Sequence, residues 1–236
     1  MHRCPRGFTR IEVLAVCAAL LTLTAVLVPG LWASNADSKR AVCYGNLRQI
    51  GRAGQVWGDE HADYLPWNLF ISQGGTRPDQ GSKPALAWQE FLFLSNTLST
   101  PRLLACPADR AVRPAFNWTT GTGGFANSGA RGNAVSYFIN YHVQPSLARA
   151  VVTGDRDFRT SGPLNGSCSR GVFNVFSLAL NDSQIAWTNE VHPPGGHLLF
   201  VDGSVEFASS SRLYSVFAGK EARNDTAGDI HFVNAR

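Results

Sequence analysis

A single carboxylate near the amino terminus occupies a position where an apolar residue would be expected. Glu12 lies one residue inside an apolar run that extends from Ile11 to Trp32 and carries no other charge. A carboxylate within a membrane span costs about 2.5–3.5 kcal/mol and usually marks function. At about 1.5 Å per residue a helix over this run spans roughly 33 Å, which predicts a membrane-spanning helix.

The residues in front of this run complete a signal. A short basic leader, residues 1–7, ends at Gly7, and Phe8 follows with Glu12 four residues further on. This arrangement resembles the class III signal of type IV pilins and type II secretion pseudopilins. Its basic residues predict a cytoplasmic amino terminus. The alternatives are an ordinary secretory signal peptide, a lipoprotein signal at Cys17 and a plain anchor; the first of these lacks a good cleavage site after the run.

The resemblance implies a scheme of processing and assembly. A prepilin peptidase would cut between Gly7 and Phe8, and the new amine of Phe8 would be N-methylated. Glu12 would then neutralise the terminal amine of a neighbouring subunit. Pro29 occupies the place of the helix-bending proline that pilins often carry. Arg10 departs from the family pattern, because that position is usually apolar.

A second block, near the carboxy terminus, contains residue types that suit turns and metals. His192 is followed by nine residues and then by Asp202 and Gly203, which resembles the carboxy-terminal signature of pilin-like proteins with this amino-terminal signal. The block predicts a β-hairpin with a type I′ turn at Asp202-Gly203. His192, His197 and Asp202 are zinc-type ligands, but their spacing fits no closed metal motif. We therefore expect His192 to hydrogen-bond backbone and Asp202 to serve the turn.

No cofactor and no catalytic residue are expected from the sequence, with calcium as an alternative. Asp225 and Asp229 lie in a run of oxygen-bearing residues, and some pseudopilins bind calcium in a late loop, but the run lacks the bidentate Glu of an EF-hand. No Gly-x-Ser-x-Gly, P-loop or Ser/His/Asp pattern is recognisable. Asp155 and Asp157 are expected in a solvated turn rather than as an acid–base pair. The sequence thus indicates a protein that is not an enzyme.

The cysteines favour one disulfide in an oxidising compartment. Cleavage of the leader would remove Cys4, and Cys17 lies in the apolar run. The cysteines left to form a disulfide are Cys43, Cys106 and Cys168. We favour Cys43 with Cys106, because this pair would staple a loop to the first helix; Cys106 with Cys168 is the alternative.

Composition limits the class of protein. The 236 residues allow one anchor and one globular domain of roughly 180–200 residues. The formal charge of +4 comes from basic residues that do not cluster, which argues against a nucleic-acid partner. The 23 Gly and 12 Pro indicate a loop-rich, mostly β domain.

The predicted fold is α+β, with a long membrane-spanning helix packed on a small antiparallel sheet with long loops. Its segments are a leader (1–7), a transmembrane and assembly helix (8–32), a continuation of that helix (33–60) and a globular α+β domain (61–236). The continuation carries one apolar stripe, formed by Cys43, Leu47, Ile50, Gly54 and Trp57. Within the domain we predict a helix over Leu86–Leu94, strands over Ala134–Val143 and Ala150–Thr153, and a strand or helix over Val172–Leu180.

The predicted function is that of a pilin or pseudopilin-like subunit of a type II secretion or type IV pilus-like assembly. Its expected partners are a prepilin peptidase, other subunits and the membrane, with no nucleic acid. It is expected in the inner membrane as a single-pass protein, with its carboxy-terminal domain periplasmic or extracellular. The alternative is a membrane-tethered ligand-binding domain that does not polymerise.

Overall fold

The structure is a computed structural model, and it describes residues 9–79, 86–141, 143, 146, 148–159, 175–178, 185–188, 190–218 and 230–233. Within these ranges the side chains of residues 26–34, 175–178 and 230–233 are not described. The chain divides into two compact units, Met1–Arg40 and Ala41–Arg236.

Helix α1 (Arg10–Asp59) forms the described part of the first unit and continues into the second. It begins at a reciprocal capping box. The Thr9 backbone N–H donates to the Glu12 carboxylate at 2.7 Å, and the Glu12 backbone N–H donates to the Thr9 hydroxyl at 3.3 Å. The helix continues through Pro29, so the proline does not divide it.

The prediction of a membrane-spanning helix was wrong. Among the residues that the structure describes, no helix combines the length and the apolar character needed to cross a bilayer.

The second unit is built on a six-stranded sheet in which all neighbouring strands are antiparallel. Its strands are β1 (Tyr137–Asn140), β2 (Val151–Asp155), β4 (Val175–Leu178), β6 (Gly195–Phe200), β7 (Val205–Ser209) and β8 (Ile230–Val233). Their order is β4-β8-β1-β2-β6-β7. A two-stranded sheet pairs β3 (Phe158–Arg159) with β5 (Ala186–Trp187). The α+β class and the antiparallel sheet are therefore as expected from the sequence.

Further helices complete the described part of this unit. They are α2 (Ala87–Phe93), α3 (Ser210–Ala218) and the 3-10 helices Pro66–Asn68, Ile71–Gln73, Leu94–Asn96, Pro101–Leu104 and Arg131–Ala134. The sequence patterns located α2, β1, β2 and the hairpin β6–β7, and β4 is a strand rather than a helix. They did not predict α3 or β8.

Strand β1 is covered on both faces, which explains why all its residues are buried. Tyr137 and Ile139 join a core with the α1 residues Cys43, Leu47 and Ile50. Phe138 points to the opposite face, because side chains alternate along a strand, and joins a core with the α3 residues Leu213, Val216 and Phe217. The sheet is thus packed between the second half of α1 and α3.

Candidate functional site

A disulfide joins the long helix to a loop of the second unit. Cys43 and Cys106 are bonded, with their Cα atoms 5.2 Å apart, and both are buried. This is the pair favoured from the sequence, and the alternative partner, Cys168, lies outside the described residues. The Cys106 backbone N–H donates to the Ser136 hydroxyl at 3.0 Å, which anchors the loop beside β1.

Two histidines and a carboxylate form a buried cluster next to this disulfide. Nε2 of His192 lies 3.1 Å from Sγ of Cys106 and 3.8 Å from Oδ2 of Asp155, at the end of β2. The same carboxylate oxygen accepts hydrogen bonds from the His197 backbone N–H at 2.7 Å and from His197 Nδ1 at 2.9 Å. The two imidazole rings meet edge to face, with centroids 5.0 Å apart. None of the three side chains is more than 4 % exposed.

The carboxylate of Asp155 is only partly satisfied. Its Oδ1 is buried and has no hydrogen-bond partner among the described residues. Since a carboxylate can only accept, the 2.9 Å contact places a proton on Nδ1 of His197. The pKa of Tyr137 lies well above its usual range. Burial is the largest cause, and the negative charge of Asp155 adds to it. An unpaired buried oxygen of this kind is costly, so the cluster is a candidate binding site.

A second pair of charges lies beside the cluster. Arg156 binds Asp109 in bidentate fashion, with Nε 2.7 Å from Oδ2 and Nη2 2.9 Å from Oδ1. Burial raises the pKa of Asp109, but the hydrogen bonds and charge of Arg156 outweigh it, so the pKa lies below its usual value.

Burial also raises the pKa of Asp157 to about 6, although its carboxylate accepts a hydrogen bond from the Val191 N–H. The expectation of a solvated turn was wrong, because Asp155 and Asp157 are both buried.

Two overlapping sets of residues have the chemistry and the spacing of metal ligands. One ligand atom each from Asp155, His192 and His197 lies within 4.8 Å of the others, and the same holds for Cys43, Cys106 and His192. Histidine, carboxylate and thiolate all suit zinc. While the disulfide is intact its sulfurs are not thiolates, and Nδ1 of His197 is engaged by Asp155. In the oxidised chain the cluster is therefore a hydrogen-bonded network. It contains three side chains of the types that bind metals, Asp155, His192 and His197.

The carboxy-terminal motif is divided between two roles. His192 lies in the buried cluster, whereas Asp202 accepts hydrogen bonds from the N–H and hydroxyl of Ser204 at 2.9 and 2.5 Å. The prediction of a type I′ turn was wrong, because that turn needs positive φ at both central residues and only Gly203, at 78°, has it. The loop instead has three residues, Val201–Gly203, between Phe200 and Ser204. Asp155, rather than Asp202, is the carboxylate that meets the histidines.

The other predicted site residues do not belong to this cluster. Glu12 is exposed in the first unit, where it accepts hydrogen bonds from Thr9. Gly7, Phe8, Asp225 and Asp229 lie outside the described residues.

A cleft of about 470 Å³ is a further feature of the second unit. The glycines Gly51, Gly54 and Gly58 of α1 line one side, and Trp67 and Leu199 contribute apolar surface. The cleft is also lined by Asn68, whose Oδ1 is buried without a partner among the described residues, and by Asp59 and Asp63. The sequence patterns did not predict this cleft, although the three glycines share one face of α1.

Comparison of the chain with protein-family models, with curated proteins and with solved structures found no match.

Proposed function

We propose that this chain is a structural subunit of the pilin or pseudopilin type, which assembles with other subunits in a type II secretion or type IV pilus-like system. In this proposal it is not an enzyme. A prepilin peptidase at the inner membrane cuts it after Gly7 and leaves Phe8 as the new amino terminus. Its second unit faces the periplasm or the exterior, and nucleic acid is not among its partners.

The observation that carries this proposal is the surface of the first part of α1. Ile11, Leu14 and Leu21 are 79, 68 and 70 % exposed, and Val13, Val16, Leu20 and Leu23 are exposed as well. These positions surround the helix rather than forming one stripe. A helix that is apolar all round is buried in its working state. Packing among the same helices of neighbouring subunits would bury this surface.

The position of Glu12 supports the same proposal and refines it. In the single chain its carboxylate accepts hydrogen bonds from the Thr9 N–H and hydroxyl at 2.7 and 2.9 Å. Assembly would add the amine of Phe8 from a neighbouring subunit, a charge partner that offsets the cost of removing water from the carboxylate. Glu12 thus has two separable roles, as a helix cap and as a charge.

The disulfide supports the proposed compartment. Disulfides persist in the periplasm and outside the cell, and are rare in the cytosol. The Cys43–Cys106 bond therefore fits a second unit that has left the cytosol.

Crosslinking in cells with an active assembly machine tests the proposal. Cys17 is an exposed free thiol on α1, and in a Cys168→Ser background a bifunctional thiol reagent should join the Cys17 thiols of two neighbouring subunits into a covalent dimer. Glu12→Gln keeps the capping geometry but removes the charge, so the dimer should be lost. Thr9→Ala removes the hydroxyl but keeps the carboxylate, so the dimer should remain. Cleavage after Gly7, followed by intact mass, should be normal in both variants. A dimer yield unchanged by Glu12→Gln would contradict the proposal.

The alternative proposal is a tethered ligand-binding domain that does not polymerise. The cleft lined by Gly51, Gly54 and Trp67 favours it, because ligand sites are concave, mostly apolar and equipped with a few polar groups such as Asn68. A chain that is processed normally but gives no crosslinked dimer, even with Thr9 and Glu12 intact, would support this alternative over the assembly subunit.

A further inference from the structure

His192 connects the disulfide to the buried carboxylate. Its Nε2 lies 3.1 Å from Cys106 Sγ and 3.8 Å from Asp155 Oδ2, so one nitrogen faces both a sulfur and a carboxylate oxygen. Cys43, Cys106 and His192 each offer a ligand atom within 4.8 Å of the other two. All four side chains are buried, and Asp155 Oδ1 has no partner among the described residues.

We propose that reduction of the disulfide converts this cluster into a zinc site. Its ligands are Cys43, Cys106 and His192, and the fourth position falls to Asp155. The site exists only in the reduced chain, because a disulfide sulfur is not a thiolate.

Two distances at His192 lie near those of tetrahedral zinc. Zn–S bonds of about 2.3 Å and Zn–N bonds of about 2.0–2.1 Å place sulfur and nitrogen ligands about 3.5 Å apart, and nitrogen and oxygen ligands about 3.4 Å apart. The 3.1 Å from Cys106 Sγ to His192 Nε2 and the 3.8 Å from His192 Nε2 to Asp155 Oδ2 each lie within about half an ångström of those values. Closing the site requires the two sulfurs to separate on reduction and the Asp155 carboxylate to turn towards them.

His197 is a positioning residue for this site. Its Nδ1 and its backbone N–H both donate to Asp155 Oδ2, at 2.9 and 2.7 Å. These bonds hold the carboxylate in place and leave Oδ1 unengaged by the described residues. Hydrogen bonds that orient a metal ligand typically contribute 10- to 100-fold to affinity.

The chemistry balances with a dithiol reductant. The S–S bond takes up two electrons and two protons, while the reductant is oxidised to its own disulfide. Zinc then displaces the two thiol protons and binds the thiolates. The ion and the disulfide are thus alternative links between α1 and the loop at Cys106, one for the reduced chain and one for the oxidised chain.

Cobalt substitution tests the site directly. The full chain is reduced with a dithiol, and the dithiol is then removed by gel filtration without oxygen. The reduced chain is titrated with Co²⁺. We expect one ion per chain, with a thiolate-to-cobalt charge-transfer band and the visible bands of a tetrahedral ion. The oxidised chain should show neither. Binding without a thiolate band, or equal binding by the oxidised chain, would overturn the proposal whatever the variants do.

Variants then assign the ligands, each verified in its oxidised form by near-ultraviolet circular dichroism before reduction. His192→Ala should lose the tetrahedral spectrum, whereas His61→Ala is the matched control, because Nδ1 of His61 lies 2.7 Å from the Trp57 carbonyl in another part of the unit. Cys168→Ser should keep the spectrum, and His197→Asn should weaken binding about 10- to 100-fold. A folded His192→Ala chain that binds Co²⁺ as tightly as wild type would show that the proposal is wrong.

Discussion

Nε2 of His192 lies 3.1 Å from Sγ of Cys106, although 86 residues separate them in the chain. His192 begins the carboxy-terminal motif and Cys106 belongs to the disulfide, two features that the sequence presents independently. Their contact places the motif histidine against the bond that anchors the long helix. The motif is therefore part of the core of the second unit as well as the entry to a hairpin.

The disulfide should contribute strongly to the stability of the second unit. Replacing both Cys43 and Cys106 by Ala should lower the free energy of unfolding by about 2–5 kcal/mol, because the unfolded chain without the bond gains freedom over the 63 residues that the bond spans. Urea unfolding of the full chain measures this. Cys17→Ala, at an exposed free cysteine, is the control and should change the value by less than about 0.5 kcal/mol. A double variant as stable as the control would contradict the prediction.

Asp157 should make stability depend on pH. Its pKa rises from 3.8 to about 6 on folding, so the folded state binds the proton more tightly than the unfolded state. The stability that it contributes is fully present below pH 4 and is lost as the pH rises through about 6. Asp157→Asn should match wild type near pH 4 and exceed it at pH 7 by about 1–2 kcal/mol. If Asp157→Asn and the wild type have equal free energies of unfolding at pH 7, Asp157 is not the source of the pH dependence.

Two glycines should respond to alanine with opposite signs. Gly203 has a φ of 78°, and Gly203→Ala should destabilise the hairpin by about 1–2 kcal/mol, because an L side chain is strained there. Gly45 lies inside α1, and a methyl group added at its Cα would meet no atom within 4 Å, so Gly45→Ala should stabilise by about 0.5–1 kcal/mol. Thermal unfolding of both variants checks the pair. Destabilisation by Gly45→Ala would contradict the open surroundings described for that residue.

Processing should take place at the Gly7–Phe8 junction. Intact mass of the mature chain should correspond to a start at N-methyl-Phe8, and Gly7→Ala should leave the leader attached. Gly30→Ala, at a glycine away from the junction, is the control and should be cut normally. A mature terminus near Ala33, or a lipidated Cys17, would contradict the pilin-type signal.

The sequence by itself determined the features that depend on neighbouring residues. The stripe at Cys43, Leu47 and Ile50 predicted the buried face of α1, because side chains three or four apart share one side of a helix. Alternation and the Asp-Gly dipeptide located the hairpin β6–β7, and the number and placement of the cysteines favoured the pair that is bonded.

Tertiary structure decided which carboxylate meets the histidines. Asp155 reaches His197 because β2 pairs with β6, and that pairing joins residues 42 positions apart, which local periodicity does not encode. Asp202, close in sequence to the histidines, lies in the turn beyond the end of β6, where its carboxylate binds Ser204. The register of a sheet is strongly specified where a face is buried, and here α1 and α3 cover the two faces, so tertiary packing fixes the pairing that brings Asp155 to His197.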